Sequence, residues 1–278
     1  MKKVLIPVDF RPISKTTCQY AWDYLKAISP VEIHLVHCFM PALEGEYPNI
    51  APPVNEILEA EEQQLKNFVL ELQAEGIMLP GKGVEIKEKF IIDNPVSGVS
   101  KLSEHFDLIL MGTHGNDSLL DQLLGTKTSI VSQKAKCPIL VLPSNVKFKG
   151  IRHILYATNM DSADDDALEM VQKINAPFKA TVHFVHVKNK SRSNFTAIQA
   201  ELVGELFEDG TPNFAFEVEE VPGAKVTDTL IEYAENHSVD LMLIASKHRN
   251  FWEGFFHQSQ SKRLAKATPF PLLIYHFD

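Results

Sequence analysis

The sequence is poor in cysteine. Its 278 residues contain only three, Cys18, Cys38 and Cys137, and no Cys-x-x-Cys pair. An odd and widely spaced set argues against a disulfide framework and against a zinc site. We interpret the three thiols as buried apolar groups of a protein in the reducing cytoplasm.

Long apolar segments are also missing. No run of 18 apolar residues occurs, so we expect no membrane-spanning helix. The segment MKKVLIPVDF begins like a signal peptide, but its apolar run ends after five residues at Asp9. We therefore expect a cytoplasmic protein with no membrane partner.

Positive charge is scarce. The chain has 27 Lys and Arg residues against 36 Asp and Glu residues, a formal net charge of −9. Binding to nucleic acid or to an anionic membrane needs a basic surface, so we expect no nucleic-acid partner. The composition, 45% hydrophobic and 23% charged, is otherwise that of an ordinary globular protein.

Four short apolar segments of the first half recur, in the same order, in the second half. Residues 3–9, 33–38, 107–112 and 137–142 match residues 153–159, 182–187, 240–245 and 270–275. Two copies of one domain explain this repetition, and we predict domains at residues 1–145 and 151–278. The first copy holds about sixteen extra residues, around positions 41–58.

Each repeated segment is short and rich in branched apolar residues, as buried strands are. Helical patterns lie between them at residues 14–28, 55–76 and 228–240, and a third strand per copy is predicted at 84–92 and 214–221. The second pattern places on one face Ile57, Leu58, Leu65, Phe68, Val69 and Leu72, with Gly76 just past its end. Alternating strands and helices predict an α/β fold with two tandem doubly wound, Rossmann-like parallel sheets. Ligands bind beyond the carboxyl ends of such strands, where Asp9, Cys38 and Gly112 fall.

Three glycines follow the strand at 107–112. They are Gly112, Gly115 and Gly125, and a predicted helix begins after the last of them at Thr126. Glycines allow a close approach of backbone N–H groups to an anion, and a helix N-terminus favours negative charge. The loop therefore has the character of a phosphate cradle. It matches neither the P-loop nor the G-x-G-x-x-G fingerprint.

The spacing Gly-x2-Gly-x9-Gly-Thr, between DLILM and CPILVLP, resembles the nucleotide motif of the universal stress protein family. That family also has a Pro-x-Asp at the end of its first strand, which Pro7 and Asp9 match. The resemblance covers essentially the whole chain as a tandem of two such domains. It implies an adenine nucleotide alpha hydrolase-like fold, in which the last strands of the two copies (139–142 and 272–275) pair antiparallel as an intrachain pseudo-dimer.

The resemblance also implies the roles of the individual residues. Asp9 would contact the adenosine moiety, the Cys38 backbone the adenine, and Gly112 the ribose. The residues implied at the phosphates are Gly115, Gly125 and Thr126, with Lys127 and Thr128 as weaker candidates and His114 inside the motif. The ligand would be ATP or another adenine nucleotide. A bridging Mg²⁺ or Mn²⁺ is compatible with this, although no ligand set for the ion is visible.

Several of these residues also have simpler structural interpretations. Asp9 could be only the N-cap of the first helix, and His114 only a loop residue. His34 and His37 recur as His183 and His186. Residues three apart on a strand face opposite sides, which favours core or edge histidines over a shared metal. The acidic run at 160–166 is interpreted as a solvated helix start.

The second copy has lost the motif. Ala245, His248 and Gln258 stand where the first copy has its glycines, while Asn159 and Ala157 replace Asp9 and Pro7. We expect one nucleotide per chain, in the first domain. The space that a phosphate needs would be filled by His248, Phe251, Trp252, Phe255 and Phe256. These residues could also form an apolar pocket or a partner surface, or pack onto the neighbouring domain.

The resulting hypothesis is a stress-response regulatory protein that binds an adenine nucleotide through its first domain. A scaffold without nucleotide and a slow ATPase are the alternatives. No catalytic group is evident from the sequence, which favours a protein that is not an enzyme. The sequence identifies no protein partner and leaves the formation of a homodimer open.

Overall fold

The computed structural model describes residues 2–28, 30–41, 53–81, 83–113, 126–144, 146–158, 165–188, 195–206, 212–246 and 270–276. Within these ranges the strands are β1 Lys3–Pro7, β2 Val31–Phe39, β3 Val84–Ile92, β4 Leu108–Thr113, β5 Ile139–Pro143, β6 His153–Ala157, β7 Thr181–Lys188, β8 Phe216–Pro222, β9 Leu241–Ser246 and β10 Leu272–His276. The helices are α1 Pro12–Leu25, α2 Val54–Ala74, α3 Pro95–Leu102, α4 Thr126–Lys134, α5 Asp165–Asn175, α6 Phe195–Leu206 and α7 Val226–Asn236, with a 3₁₀ turn at Ser103–His105.

The strands form one ten-stranded sheet in the order β3-β2-β1-β4-β5-β10-β9-β6-β7-β8. Neighbouring strands are parallel throughout, except for the pair β5 and β10. Each half has the doubly wound order predicted from the sequence, with both third strands in place. None of the described helices combines the length and the apolar character needed to cross a bilayer.

The antiparallel pair β5 and β10 joins the two halves. Leu272 lies opposite Val141, Leu273 opposite Leu140, and Ile274 opposite Ile139. The side chains of these six residues are almost fully buried. An unpaired apolar edge strand favours aggregation, and this pairing covers both edges at once. The predicted pseudo-dimer contact is therefore confirmed.

Helices cover both faces of the sheet. The apolar residues of α1, α2, α5 and α6 pack on one face together with Val4 and Ile6 of β1. Those of α3, α4 and α7 pack on the other face with Leu5. Successive strand residues point to opposite faces, so each strand contributes to both cores.

The two copies also repeat individual hydrogen bonds. The Asp107 carboxylate accepts bonds from the backbone N–H groups of Lys2 and Lys3, at 2.6 and 2.9 Å. Asp240 accepts the equivalent bonds in the second copy, from residues 152 and 153, at 2.7 and 3.1 Å. These bonds tie the start of each first strand to the start of its fourth strand. The same local chemistry therefore positions the sheet in both halves.

Helix α2 differs in part from the sequence prediction. Its expected apolar face includes Ile57 and Leu58, but these are only half-buried, and full burial begins at Leu65, about three turns into the helix. Gly76 ends the helix with φ +71°, as its position predicted. The N–H of Ile77 bonds to the carbonyl of Leu72 at 2.9 Å, which completes a Schellman motif.

The β5–β10 seam should be energetically coupled across the two halves. Leu140→Ala and Leu273→Ala should each lower the free energy of unfolding by about 2–5 kcal/mol, because each leaves a cavity in a buried strand. The double variant should depart from additivity by about 0.5–3 kcal/mol, because the two residues are in contact. Urea denaturation measures both quantities.

Leu70→Ala is the matched control, since the Leu70 side chain is 62% exposed. It should change stability by no more than about 0.5 kcal/mol. Strict additivity of Leu140→Ala and Leu273→Ala would contradict direct packing across the seam.

Candidate functional site

A cavity of about 320 Å³ opens at the carboxyl ends of β1, β2 and β4. The connection from β1 leads to β2 on one side of it, and the connection from β3 leads to β4 on its other side. This is the switch point at which doubly wound sheets bind their ligands. Its walls come from the first turns of α1 on one side of the sheet and from α3 and α4 on the other.

Six of the ten residues proposed from the sequence line this cavity. They are Pro7, Asp9, Cys38, Gly112, Lys127 and Thr128. Thr126 is the first residue of α4, next to the two lining residues of that helix. His114, Gly115 and Gly125 lie outside the described residues, as do the second-copy positions His248 and Gln258.

Asp9 is not the N-cap of α1. The N-cap residue is Arg11, and its side chain makes no capping bond. The Asp9 carboxylate instead binds the Arg11 guanidinium through Nε, at 2.6 Å, and through Nη2. It also accepts the Ser14 hydroxyl at 2.8 Å and the Arg11 backbone N–H at 3.3 Å. The carboxylate is therefore held by several donors at the mouth of the cavity.

The same contacts control the ionisation of Asp9. Burial alone would raise the pKa of the carboxyl group, but the hydrogen bonds from Arg11 and Ser14 and the charge of Arg11 outweigh burial and lower it. Asp9 is thus an anion at neutral pH. It can accept hydrogen bonds and is a poor proton donor.

Phe10 gives the loop after β1 its shape. It has φ +60°, which few residues other than glycine adopt, and it separates Asp9 from Arg11. Its ring packs on the ring of His37 with centroids 4.3 Å apart. This left-handed residue turns the chain so that Arg11 folds back onto Asp9.

His37 connects three elements beneath the cavity. Its Nδ1 lies 2.8 Å from the Val8 carbonyl oxygen, and its Nε2 lies 3.1 Å from the Glu61 carboxylate of α2. The second copy repeats the first contact, with His186 Nδ1 3.2 Å from the Thr158 carbonyl oxygen. His37 is buried and His186 is half-buried, which is the environment expected of core and edge histidines.

The Cys38 thiol is buried and unreactive. A Cβ at Gly98 of α3 would come within 2.7 Å of its sulfur, so that glycine makes room for it. Burial raises the pKa of the thiol to about 11, with a further rise from Asp93 that Lys89 partly offsets. The thiol is protonated at neutral pH and is not a nucleophile.

The Cys38 backbone, in contrast, points toward the cavity. Val36 accepts a bond from Val8 on the β1 side, and Phe39 accepts one from Asp93 on the β3 side. Backbone groups alternate along a strand, so Cys38 directs its N–H and carbonyl to the β1 side, past the end of β1. One donor and one acceptor are thereby presented side by side.

Gly112 has a packing reason to be glycine. A Cβ built there would meet the Thr17 hydroxyl and lie 2.6 Å from Cγ1 of Ile13, both on α1. The glycine lets β4 and α1 approach closely at the edge of the cavity. The family resemblance implied a ribose contact for Gly112 and gave no sign of this packing role.

Three further polar residues of the cavity were missed. Arg11, Ser14 and Thr17 follow one another at three-residue spacing, and therefore share one face of the first turns of α1. Thr17 is 2% exposed, and its hydroxyl has no hydrogen-bond partner among the described residues. Among the described residues nothing satisfies this buried hydroxyl, so a water molecule, a ligand atom or a residue outside the described ranges can do so.

The sequence model of the universal stress protein family matches residues 1–143 and again residues 150–276. The chain belongs to the universal stress protein family. It carries two domains of the family in tandem, as the resemblance implied.

Individual relatives agree with this assignment. A universal stress protein of Methanocaldococcus jannaschii is 25% identical over 155 residues, which cover 51% of this chain and 94% of that protein. A second universal stress protein of the same organism is 28% identical over 150 residues, covering 51% of this chain and 81% of that protein. Each relative therefore matches about half of the tandem chain.

A solved structure matches the tandem as a whole. The crystal structure of a universal stress protein from Archaeoglobus fulgidus covers 99% of this chain and 98% of its own, with a TM-score of 0.73 and 18% sequence identity. At this identity the likeness shows the fold, two doubly wound domains in one chain.

The close approach at Gly112 predicts a stability defect for a small side chain. Gly112→Ala should lower the free energy of unfolding by about 1–3 kcal/mol, because the new Cβ forces β4 and α1 apart. Chemical denaturation tests this. Gly204→Ala is the control: the space around Gly204 in α6 is open, so this change should stabilise by about 0.5–1 kcal/mol. Equal stability of the Gly112 variant and the natural protein would refute the packing role.

Proposed function

We propose that the first domain binds an adenine nucleotide, ATP or another, and that the protein is a stress-response regulator rather than an enzyme. The main support for this proposal is that residues distant in the sequence come together in space. Residues taken from five separate stretches of sequence line one cavity at the switch point of the first half-sheet. Its volume is at the lower end of the range of small-molecule sites.

The adenine is assigned to the Cys38 end of the cavity. The backbone N–H and carbonyl of Cys38 offer the adjacent donor and acceptor that a purine edge requires. Val36, Val96 and Val99 supply apolar contacts for the ring faces. A mainly apolar lining with a few fixed polar groups is typical of such sites.

The ribose is assigned to the floor between β1 and α1. The Asp9 carboxylate keeps free acceptor capacity beside its bonds to Arg11 and Ser14. The unpaired Thr17 hydroxyl supports a sugar hydroxyl at the same place. Pro7 and Gly112 complete this part of the wall without adding bulk.

The phosphates are assigned to the start of α4 and the glycine loop before it. Lys127 and Thr128 line the cavity there, and the N-terminus of α4 favours an anion. Gly115, Gly125 and Thr126 would contribute backbone N–H groups. Asp9 is the sole carboxylate among the described lining residues. A Mg²⁺ or Mn²⁺ ion would therefore depend on the phosphates and water for its ligands.

Binding without rapid turnover fits the groups present. Hydrolysis needs a residue that positions the attacking water. Of the described lining residues, Asp9 is engaged by Arg11 and Ser14, and both ring nitrogens of His37 already face oxygen atoms. This supports a regulatory nucleotide site over an ATPase.

We place the nucleotide in the first domain only, with domains at 1–145 and 151–278. At the equivalent end of the second half, Ala157 and Ala245 replace Pro7 and Gly112. The counterpart of Asp9 is an asparagine, which carries no charge. The second domain would serve as the structural half of the pseudo-dimer.

Asp9→Ala should weaken nucleotide binding without abolishing it. Loss of one charge-assisted hydrogen bond is worth about 1.5–3 kcal/mol, so Kd should rise by about 10- to 150-fold. Isothermal titration with ATP, and in parallel with ADP, AMP and cyclic AMP, gives Kd for the natural protein and the variant. Far-UV circular dichroism checks that the variant is folded.

Asp23→Ala is the matched control. Asp23 is also a carboxylate of the α1 region and is ion-paired, with Lys26 at 2.8 Å, but it does not line the cavity. It should leave Kd unchanged. An Asp9 variant that binds as tightly as the control would remove Asp9 from the site, and no measurable binding of any adenine nucleotide by the natural protein would favour the scaffold function.

A further inference from the structure

A second polar cluster lies in the other repeat, at the amino ends of β6, β7 and β8. It is built on His183, Glu217 and Glu219, whose ligand atoms all lie within 4.8 Å of one another. His183 is the third residue of β7 and stands in register with Glu217 of β8. Glu217 and Glu219 are two apart, so both side chains point to the same face of the sheet.

His183 is held from both sides. Its Nε2 lies 3.1 Å from Nδ1 of His153, and its Nδ1 lies 3.0 Å from the Glu217 carboxylate. An Nε2–H that donates to His153 would leave the Nδ1 lone pair directed at the two glutamates. Metal-bound histidines typically donate their second ring N–H to an acceptor, and here a ring nitrogen of His153 takes the place of the usual carboxylate, carbonyl or water.

Glu219 is also positioned. It accepts a hydrogen bond of 2.6 Å from the Tyr233 hydroxyl, which in turn lies 3.2 Å from His183 Nδ1. The ring of His237 stacks on Tyr233 with centroids 3.8 Å apart. Tyr233 and His237 stand at the C-terminal end of α7, where the helix dipole favours a cation.

The donor set indicates the kind of cation. One imidazole nitrogen and two carboxylates suit a borderline divalent ion such as Zn²⁺, and their two negative charges match its charge. Neighbouring ligands of tetrahedral zinc are about 3.3 Å apart, so the set must contract slightly. Glu217 can supply this movement, because its side chain is 55% exposed.

The first repeat supplies an internal comparison. His34 is the counterpart of His183, but the residue in register with it on β3 is Lys87, where β8 has Glu217. The counterpart of Glu219 on β3 is Lys89. Two cations thus replace the two carboxylates, and His34 contacts Glu32 on its own strand instead. The ligand set belongs to the second repeat.

We propose that His183, Glu217 and Glu219 form a Zn²⁺-binding site in the second domain, with His153 and Tyr233 as positioning residues. Three protein ligands leave a fourth position for water or for a ligand atom of a partner. This site is independent of nucleotide binding in the first domain. It gives the second domain a ligand of its own, although that domain lacks the glycine motif.

The test is a Zn²⁺ titration of the chelator-treated full chain, followed by calorimetry, with Co²⁺ absorption as a second readout. The natural protein should bind one equivalent tightly, and Co²⁺ should give a visible band typical of low-coordinate nitrogen and oxygen ligands. Glu217→Gln with Glu219→Gln should weaken Zn²⁺ binding by at least about tenfold and remove the band. The amide oxygen at position 219 can still accept the Tyr233 hydroxyl.

Glu85→Gln with Glu88→Gln, which changes two exposed carboxylates of β3 in the first repeat, is the matched control and should bind Zn²⁺ as the natural protein does. Circular dichroism verifies that every variant is folded, and the single Glu217→Gln change replaces the double one if the latter unfolds. Equal Zn²⁺ affinity of the β8 and β3 variants, or no tight equivalent in the natural protein, would overturn the proposal.

Discussion

The pairing of β5 with β10 is the contact on which the arrangement of the whole molecule depends. It turns two five-stranded parallel sheets into one sheet of ten strands and buries two apolar edges that would otherwise be exposed. Because this one pair is antiparallel, the strands of the two repeats run in opposite directions. The carboxyl ends of β1, β2 and β4 therefore lie along the same side of the sheet as the amino ends of β6, β7 and β8, where the strands of one half finish and those of the other half begin.

The two repeats combine a common scaffold with different surface chemistry. Asp107 and Asp240 fasten the starts of equivalent strands, and His37 and His186 contact equivalent carbonyl groups. The strand ends differ, since Ala245 stands where the first repeat has Gly112. Scaffold contacts maintain the core of each half, whereas a ligand site can change in one copy while the other copy keeps its own.

Much of the fold follows from the sequence because its signals are local or repeated. Strand periodicity, the internal repeat and Gly76 at the end of α2 all predict what the structure has. The missed features depend on contacts between distant segments. To predict that a side chain at Gly112 would clash, one must know where α1 lies. The cluster at His183 combines residues from three strands. The three-residue spacing of Thr17 with Arg11 and Ser14 could have identified it as a cavity residue. The lack of a partner for its hydroxyl among the described residues could not be predicted from the sequence.

The central claim is that one chain holds one adenine nucleotide, bound by its first domain. Native mass spectrometry of the intact chain, equilibrated with ATP over a range of concentrations, measures this directly. The account predicts a single saturable mass increase equal to one nucleotide per chain, which the Asp9→Ala change shifts to higher concentration. Two nucleotides per chain with similar affinity, or one that is unaffected by the Asp9 change, would contradict it.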